Sequence, residues 1–192
     1  MQDHISSNVR CCFYHLRSIG KLRPFSSTRA ANTMAVSIVL SRLDYCNSCL
    51  WGVPSQQLKR LHLVQIQLRE LSLVHGKKKH ITPVVKELHW LPWRKRIDHK
   101  IMSFAYECYE GAAPKYLQEL ISRYIPARPL RLSSQLRLRI PSATEKHTKK
   151  KLGFRAFSNS APKLWNALPQ TNREADSSAT FRRRLKAHLF PD

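Results

Sequence analysis

HITPVVKELHWLPWRKRIDHKI, residues His80–Ile101, reads as two short helices joined by a stiff corner. Pro83 suits the first turn of the first helix, with Thr82 as its cap, and Val84, Val85 and Leu88 form its apolar side. Pro92 ends that helix, because a proline pushes the residue before it out of helical geometry. A second, longer helix follows, with Ile97, Ile101, Phe104, Ala105 and Cys108 on one face at spacings of four, three, one and three. Trp90 and Trp93 flank the corner, where paired indoles pack a joint between elements. The pattern predicts a helical, packed corner and names no chemistry.

The segments before it carry the same helical period. Ile5, Val9, Cys12, Phe13, Leu16 and Ile19 predict an amphipathic helix over 3–19, with Gly20 placed to end it and Pro24 barring its continuation. Ser26, Ser27 and Thr28 offer caps for a helix over about 28–40 whose buried side is Ala31, Ala35, Ile38 and Val39. Gly52 and Pro54 punctuate the chain, and Leu58, Leu61, Val64, Leu68 and Leu71 form a stripe over 55–74, with Lys59, Arg60 and Arg69 off it. Lys77, Lys78 and Lys79 follow Gly76 as a basic link, suited equally to a phosphate clamp and to a solvated loop.

Beyond the corner, Pro114 opens a short helix that Leu117, Leu120 and Ile121 pack down. The net positive charge per residue then nearly doubles: residues 1–126 hold 19 basic and 8 acidic residues, and residues 127–192 hold 15 and 4. Leu132, Ser134, Leu136, Leu138 and Ile140 alternate with Arg131, Ser133, Gln135, Arg137 and Arg139. That period of two predicts a strand with one apolar and one basic face, paired in a hairpin with Gly153–Phe157 across the basic run Lys146–Lys151. Ala161, Leu164, Trp165 and Leu168 line a further helix, in which Trp165 reads as core rather than as a stacking platform. The tail is a helix capped by Ser177 or Ser178, with Phe181, Leu185 and Leu189 on one side and Arg182, Arg183, Arg184 and Lys186 on the others.

Composition bounds the function. Of 192 residues, 34 are Lys or Arg and 12 are Asp or Glu, a net charge of +22. Such a chain repels itself without an anionic partner, and nucleic acid is the commonest one, although basic charge alone also fits a ribosome-like or membrane-surface protein. Met1–Leu16 is too polar for a secretory signal and Met34–Leu40 too short to span a bilayer, so a nuclear or cytoplasmic protein without a membrane partner is expected. Five cysteines in that setting argue against a disulfide framework. Cys46 and Cys49 have the spacing of half a zinc knuckle but lack a second close ligand pair, so they read as helix-face thiols one turn apart, and no metal or cofactor is expected. Asp44 has no second carboxylate nearby and reads as structural, with Asn47 holding a turn.

Several phrases together resemble one family. HITPVVKELHWLPWRKRIDHKI, SRLDYCNSCLWGVP (Ser41–Pro54), GAAPKYL (Gly111–Leu117), RAFSNSAPKLWNALP (Arg155–Pro169) and the tail FRRRLKAHLF (Phe181–Phe190) are similar to the region downstream of the polymerase core in jockey-like non-LTR (LINE-type) retrotransposon reverse transcriptases. CFYHLRSIGKLRP (Cys12–Pro24) resembles the helix that follows the palm in that family. Cys49 stands where the family has leucine, and Gln67 and Leu68 stand in its run of small residues. The resemblance implies a mainly α fold: a thumb-like helical segment (1–75), a helical corner and linker (76–126), and a small basic α+β part with one hairpin (127–192). It also implies a role in holding template-primer RNA or DNA by its backbone, beside a missing palm domain. A polymerase centre needs paired aspartates holding two metal ions about 4 Å apart. Asp3, Asp44, Asp98, Asp176 and Asp192 are all isolated, so no catalytic residue and no small-molecule substrate are expected.

The candidate phosphate contacts are Lys77, Lys78, Lys79, Arg137, Arg139, Lys149, Lys150, Lys151, Arg182, Arg183 and Arg184. Two alternatives stand beside this reading. One is an inactive truncated relic that serves only as a helical packing module, with the face of Ile5, Val9, Phe13 and Leu16 left bare for the palm. The other is a host protein that adopted the module to bind nucleic acid.

Overall fold

The computed structural model describes residues 2–72, 90–126, 136–142, 153 and 155–190. The protein is mainly helical and divides into two units, residues 1–47 with 53–93 and residues 48–52 with 94–192. That division falls inside the stretch 76–126.

In the first unit, α1 (Gln2–Leu22) buries Ile5, Val9, Cys12, Leu16 and Ile19. It runs through Gly20 rather than ending there, and stops at Pro24 in a 3-10 turn, Arg23–Phe25. Gly20 lies where α1 approaches α4 (Ser55–Ser72): a Cβ built on it stands 3.6 Å from Leu71 Cδ1, an ordinary contact. Gly20→Ala therefore fits, and removing backbone freedom from a helix interior is expected to add about 0.5–1 kcal/mol of stability. Thermal denaturation checks this, and a lower Tm would show that the helices must part to admit the methyl.

Ser27 caps α2 (Thr28–Met34), its hydroxyl accepting the Ala30 N–H at 3.2 Å. The helix continues through a π-helical stretch, Ala35–Leu40, into α3 (Ser41–Asp44), four residues beyond the expected end. Ala31, Ala35 and Val39 are fully buried, while Ile38 is half-buried. The α1 face of Ile5, Val9 and Leu16 is not bare, since α4 and the α2–α3 helix cover it. The expectation of an apolar face awaiting a palm domain is corrected by that packing; only Phe13 is half-exposed.

Along α4, Leu58, Leu61, Val64 and Leu68 are buried as the stripe predicts. Gln65 and Arg69 are buried beside them, so Arg69 is not on the solvent face. Gln65 pins the corner: its Nε2 donates to the Leu91 carbonyl (2.9 Å) and its Oε1 accepts the Trp93 N–H (3.0 Å). Both backbone groups flank Pro92, which has no N–H of its own to offer. Trp93 is buried and Trp90 half-buried, as a packed corner requires. Gln65→Leu keeps the volume but orphans two buried backbone groups, and is expected to cost about 2–4 kcal/mol. Urea denaturation measures it, and a loss below about 1 kcal/mol would mean that water replaces the amide. The helix expected before Pro92, with Val84, Val85 and Leu88, lies outside the described residues.

The second unit is built from α5 (Trp93–Tyr109, from Arg94 onward), α6 (Lys115–Gln118), α7 (Phe157–Ala167), α8 (Gln170–Arg173) and α9 (Ser178–Leu189). Ile97, Ile101, Ala105 and Cys108 of α5 are buried as expected, together with Met102 and Tyr106, while Phe104 is half-buried. α9 turns Phe181, Leu185 and Leu189 inward and is capped by Ser177, whose Oγ accepts the Thr180 N–H at 3.2 Å. The core is an aromatic stack. Tyr106 and Phe181 lie 4.4 Å apart between ring centroids, Tyr109 and Trp165 5.6 Å, and Trp165 and Phe181 5.7 Å. Leu120 does not pack down; it is 46% exposed.

The expected hairpin is corrected. Among the described residues no strand forms, and Leu138 makes an isolated antiparallel bridge with Arg123 instead of pairing with Gly153–Phe157. Side chains of α7 and α8 satisfy this extended segment. Asn166 donates to the Leu138 carbonyl (2.8 Å) and accepts its N–H (3.0 Å). The Leu136 carbonyl accepts from Trp165 Nε1 (2.8 Å) and Arg173 Nη1 (3.1 Å). With those groups paired, a second strand has little left to bind. Phe157 opens α7 rather than closing a hairpin.

Candidate nucleic-acid interface

The alternation in 136–140 sorts the side chains only at its centre, since Leu136 is half-buried and Ile140 is 47% exposed. Leu138 is buried, while Arg137 is half-buried and Arg139 exposed. The bridge to Arg123 sets this register, with the Tyr124 N–H donating to the Arg137 carbonyl (2.9 Å) and the Arg139 N–H to the Ser122 carbonyl (2.8 Å). Arg137 lies close to Arg173, a buried guanidinium whose pKa is lowered first by burial and then by the Arg137 charge, against a smaller raising effect of Glu174.

The tail arginines separate by role. Arg182 pairs with Glu107 of α5, so part of its charge is spent inside the unit. Arg184 Nη1 donates to the Thr171 carbonyl of α8 at 2.8 Å. Arg183 lies opposite the Phe181–Leu185 side, exposed, with Lys186 one turn on. α8 is thus bordered by Arg184 at Thr171, and by Arg137 through Arg173. Nearby, burial chiefly lowers the His99 pKa; a hydrogen bond with the Arg182 backbone raises it, and the charges of Arg182, Arg96 and Lys186 lower it further. Burial first, and that positive field after it, disfavour the charged form of His99. Lys77–Lys79 and Lys149–Lys151 lie outside the described residues.

Three basic residues turn out to be structural. Arg155 clasps the turn before Gly52, donating from Nε to the Trp51 carbonyl (3.0 Å) and from Nη2 to the Cys49 carbonyl (2.8 Å). It thereby ties the phrase beginning at Arg155 to the end of the phrase Ser41–Pro54. Arg123 stacks on the Tyr109 ring at 4.1 Å, and Arg173 holds Leu136. Nothing in the spacing of these arginines marks them as clamps, because their partners, backbone carbonyls for Arg155 and Arg173 and a ring for Arg123, lie well away in sequence.

The remaining chemistry is quiet. Asn47 donates to Asp44 Oδ1 at 3.3 Å, which gives Asp44 the structural place expected of it. Asp98 is pushed above the usual carboxylate range by burial, against the lowering effects of Lys95, Arg94 and a hydrogen bond from Trp51. Cys46 sits in left-handed backbone (φ 53°) and Cys49 in the 3-10 turn Asn47–Leu50, not on an α-helical face. Burial, with Cys11 beside it and Arg42 opposing, raises the Cys12 thiol to about 11. Among the described residues no three His, Cys, Asp or Glu side chains gather as a metal would need, and no helix is long and apolar enough to cross a membrane. No protein-family model, curated protein or solved structure matches the chain.

Proposed function

We propose that this chain is the thumb-like and downstream region of a LINE-type reverse transcriptase, and that it holds template-primer nucleic acid by its phosphates without contributing a polymerase centre. One observation carries the reading. If every one of the 12 carboxylates neutralised one cation, 22 cations would still be left over. The resemblance of five phrases to the post-palm region says which anion they meet. Exposed Arg139, Arg183 and Lys186 add surface charge of the kind that reads backbone rather than base edges.

The test is fluorescence anisotropy of a labelled RNA–DNA hybrid titrated with the chain at several salt concentrations, after circular dichroism has shown the protein to be helical. Tight binding at low salt that weakens steeply as salt rises is expected. No binding at low salt by folded protein, or binding indifferent to salt, overturns the proposal.

A further inference from the structure

Between α1 and α4 in the first unit runs a groove of about 470 Å³. Arg10 and Arg17 form one wall and Arg60 the other, with Val9, Phe13 and Leu63 between them. Among the described residues no acidic side chain lines it. None of the three arginines stands among the phosphate contacts expected from sequence. Each looks like an ordinary solvated helix position until the two helices are laid side by side.

Two of the guanidiniums are held by hydrogen bonds. Arg60 Nη1 donates to Ser6 Oγ across the helix pair (3.1 Å), and Arg17 Nε donates to the Phe13 carbonyl one turn back (3.3 Å). Arg10 and Arg17 are seven residues apart on one helix, so their backbones are separated by roughly 10 Å along its axis. That spans about three nucleotide steps at the 3.4 Å rise of one strand. Guanidinium forks match phosphate oxygens two by two, which an ammonium group does not. Leu63 is 53% exposed and Phe13 half-exposed, a small apolar floor against which a sugar or base face can rest.

We infer that the α1–α4 groove binds one phosphodiester strand, its phosphates on Arg10, Arg17 and Arg60 and a base or sugar face on Phe13 and Leu63. This rests on the nucleic-acid reading and adds a site in the first unit to it. An acidic amphipathic helix is the rival occupant. Such a helix reads apolar anchors at i, i+3, i+4 and i+7. Val9 is only 3% exposed, which leaves two apolar contacts, too few for that mode.

The experiment compares three proteins on the same labelled RNA–DNA hybrid: wild type, the triple variant Arg10→Gln/Arg17→Gln/Arg60→Gln, and a control carrying Lys21→Gln/Arg29→Gln/Arg42→Gln, which removes equal charge from the same unit outside the groove. Each lost phosphate contact removes about one from the slope of log affinity against log salt, so the groove variant is expected to lose about two to three while the control keeps nearly the wild-type slope. Phe13→Leu is expected to weaken binding about tenfold with the slope unchanged, since stacking carries no counterion release. A groove variant that binds like wild type, or no better and no worse than the control, overturns the inference while the nucleic-acid reading stands. Failure of wild type itself to bind overturns both. Binding of a Leu/Glu amphipathic peptide to wild type and not to the groove variant, with hybrid binding equal in the two, assigns the groove to a protein partner and overturns the inference.

Discussion

Raising the salt from 50 to 200 mM is expected to weaken binding to an RNA–DNA hybrid by about 10³–10⁵-fold, the loss that goes with six to ten phosphate contacts. The size follows from counterion release: each neutralised phosphate returns a condensed cation to solution, and that gain shrinks as bulk salt rises. Loss of one contributor should therefore lower the slope rather than alter sequence preference. Arg183→Ala and Arg139→Ala are the informative single changes, because both side chains are exposed. Each is expected to reduce the slope by about one. Arg182→Ala should do less, since its charge already faces Glu107. A slope shallower than about two for wild type would leave too few phosphate contacts for a backbone grip.

Trp165→Ala is expected to destabilise the second unit by about 3–5 kcal/mol. Trp165 is fully buried and touches the whole aromatic stack, with ring centroids 5.6 Å from Tyr109, 5.7 Å from Phe181 and 6.4 Å from Tyr106. Its removal leaves a cavity between α5, α7 and α9 that three large rings cannot close by small shifts. It also takes away the indole N–H that holds the Leu136 carbonyl, although Arg173 still donates there. Trp165→Phe separates the two losses: most of the packing survives and only the hydrogen bond goes, so a cost of about 1–2 kcal/mol is expected. Chemical denaturation followed by far-UV circular dichroism gives both values. A cost near zero for Trp165→Ala would mean that the stack is not what holds α9 to α5.

The helices of this protein are legible because each carries its own burial pattern. Ile5, Val9, Leu16 and Ile19 announce α1, and Phe181, Leu185 and Leu189 announce α9, whatever they pack against. The caps Ser27 and Ser177 are local chemistry and are equally readable. Gly20 misleads for a physical reason. A glycine near a helix end is a stop signal only if the chain turns there, and here α1 runs on through it to Leu22 with room for a methyl beside Leu71. The alternation misleads in another way, as its described part, 136–140, shows. Alternation says that a segment is extended with two unlike faces, but not which groups complete its hydrogen bonds.

Sequence alone therefore determined the mainly helical class, the start of α5 after Pro92, the cores of α4, α5, α7 and α9, and the charge surplus. These depend on period, capping and composition, all properties of neighbouring residues. Tertiary structure alone decided which polar side chains became fasteners: Gln65 across the corner, Asn166 and Arg173 on the extended segment, Arg155 on the turn at Cys49–Trp51. It also decided that Arg10, Arg17 and Arg60 face one groove. In every such case the partners lie far apart in the chain, and a side chain's hydrogen bonds or shared concavity exist only once packing has brought distant backbone together.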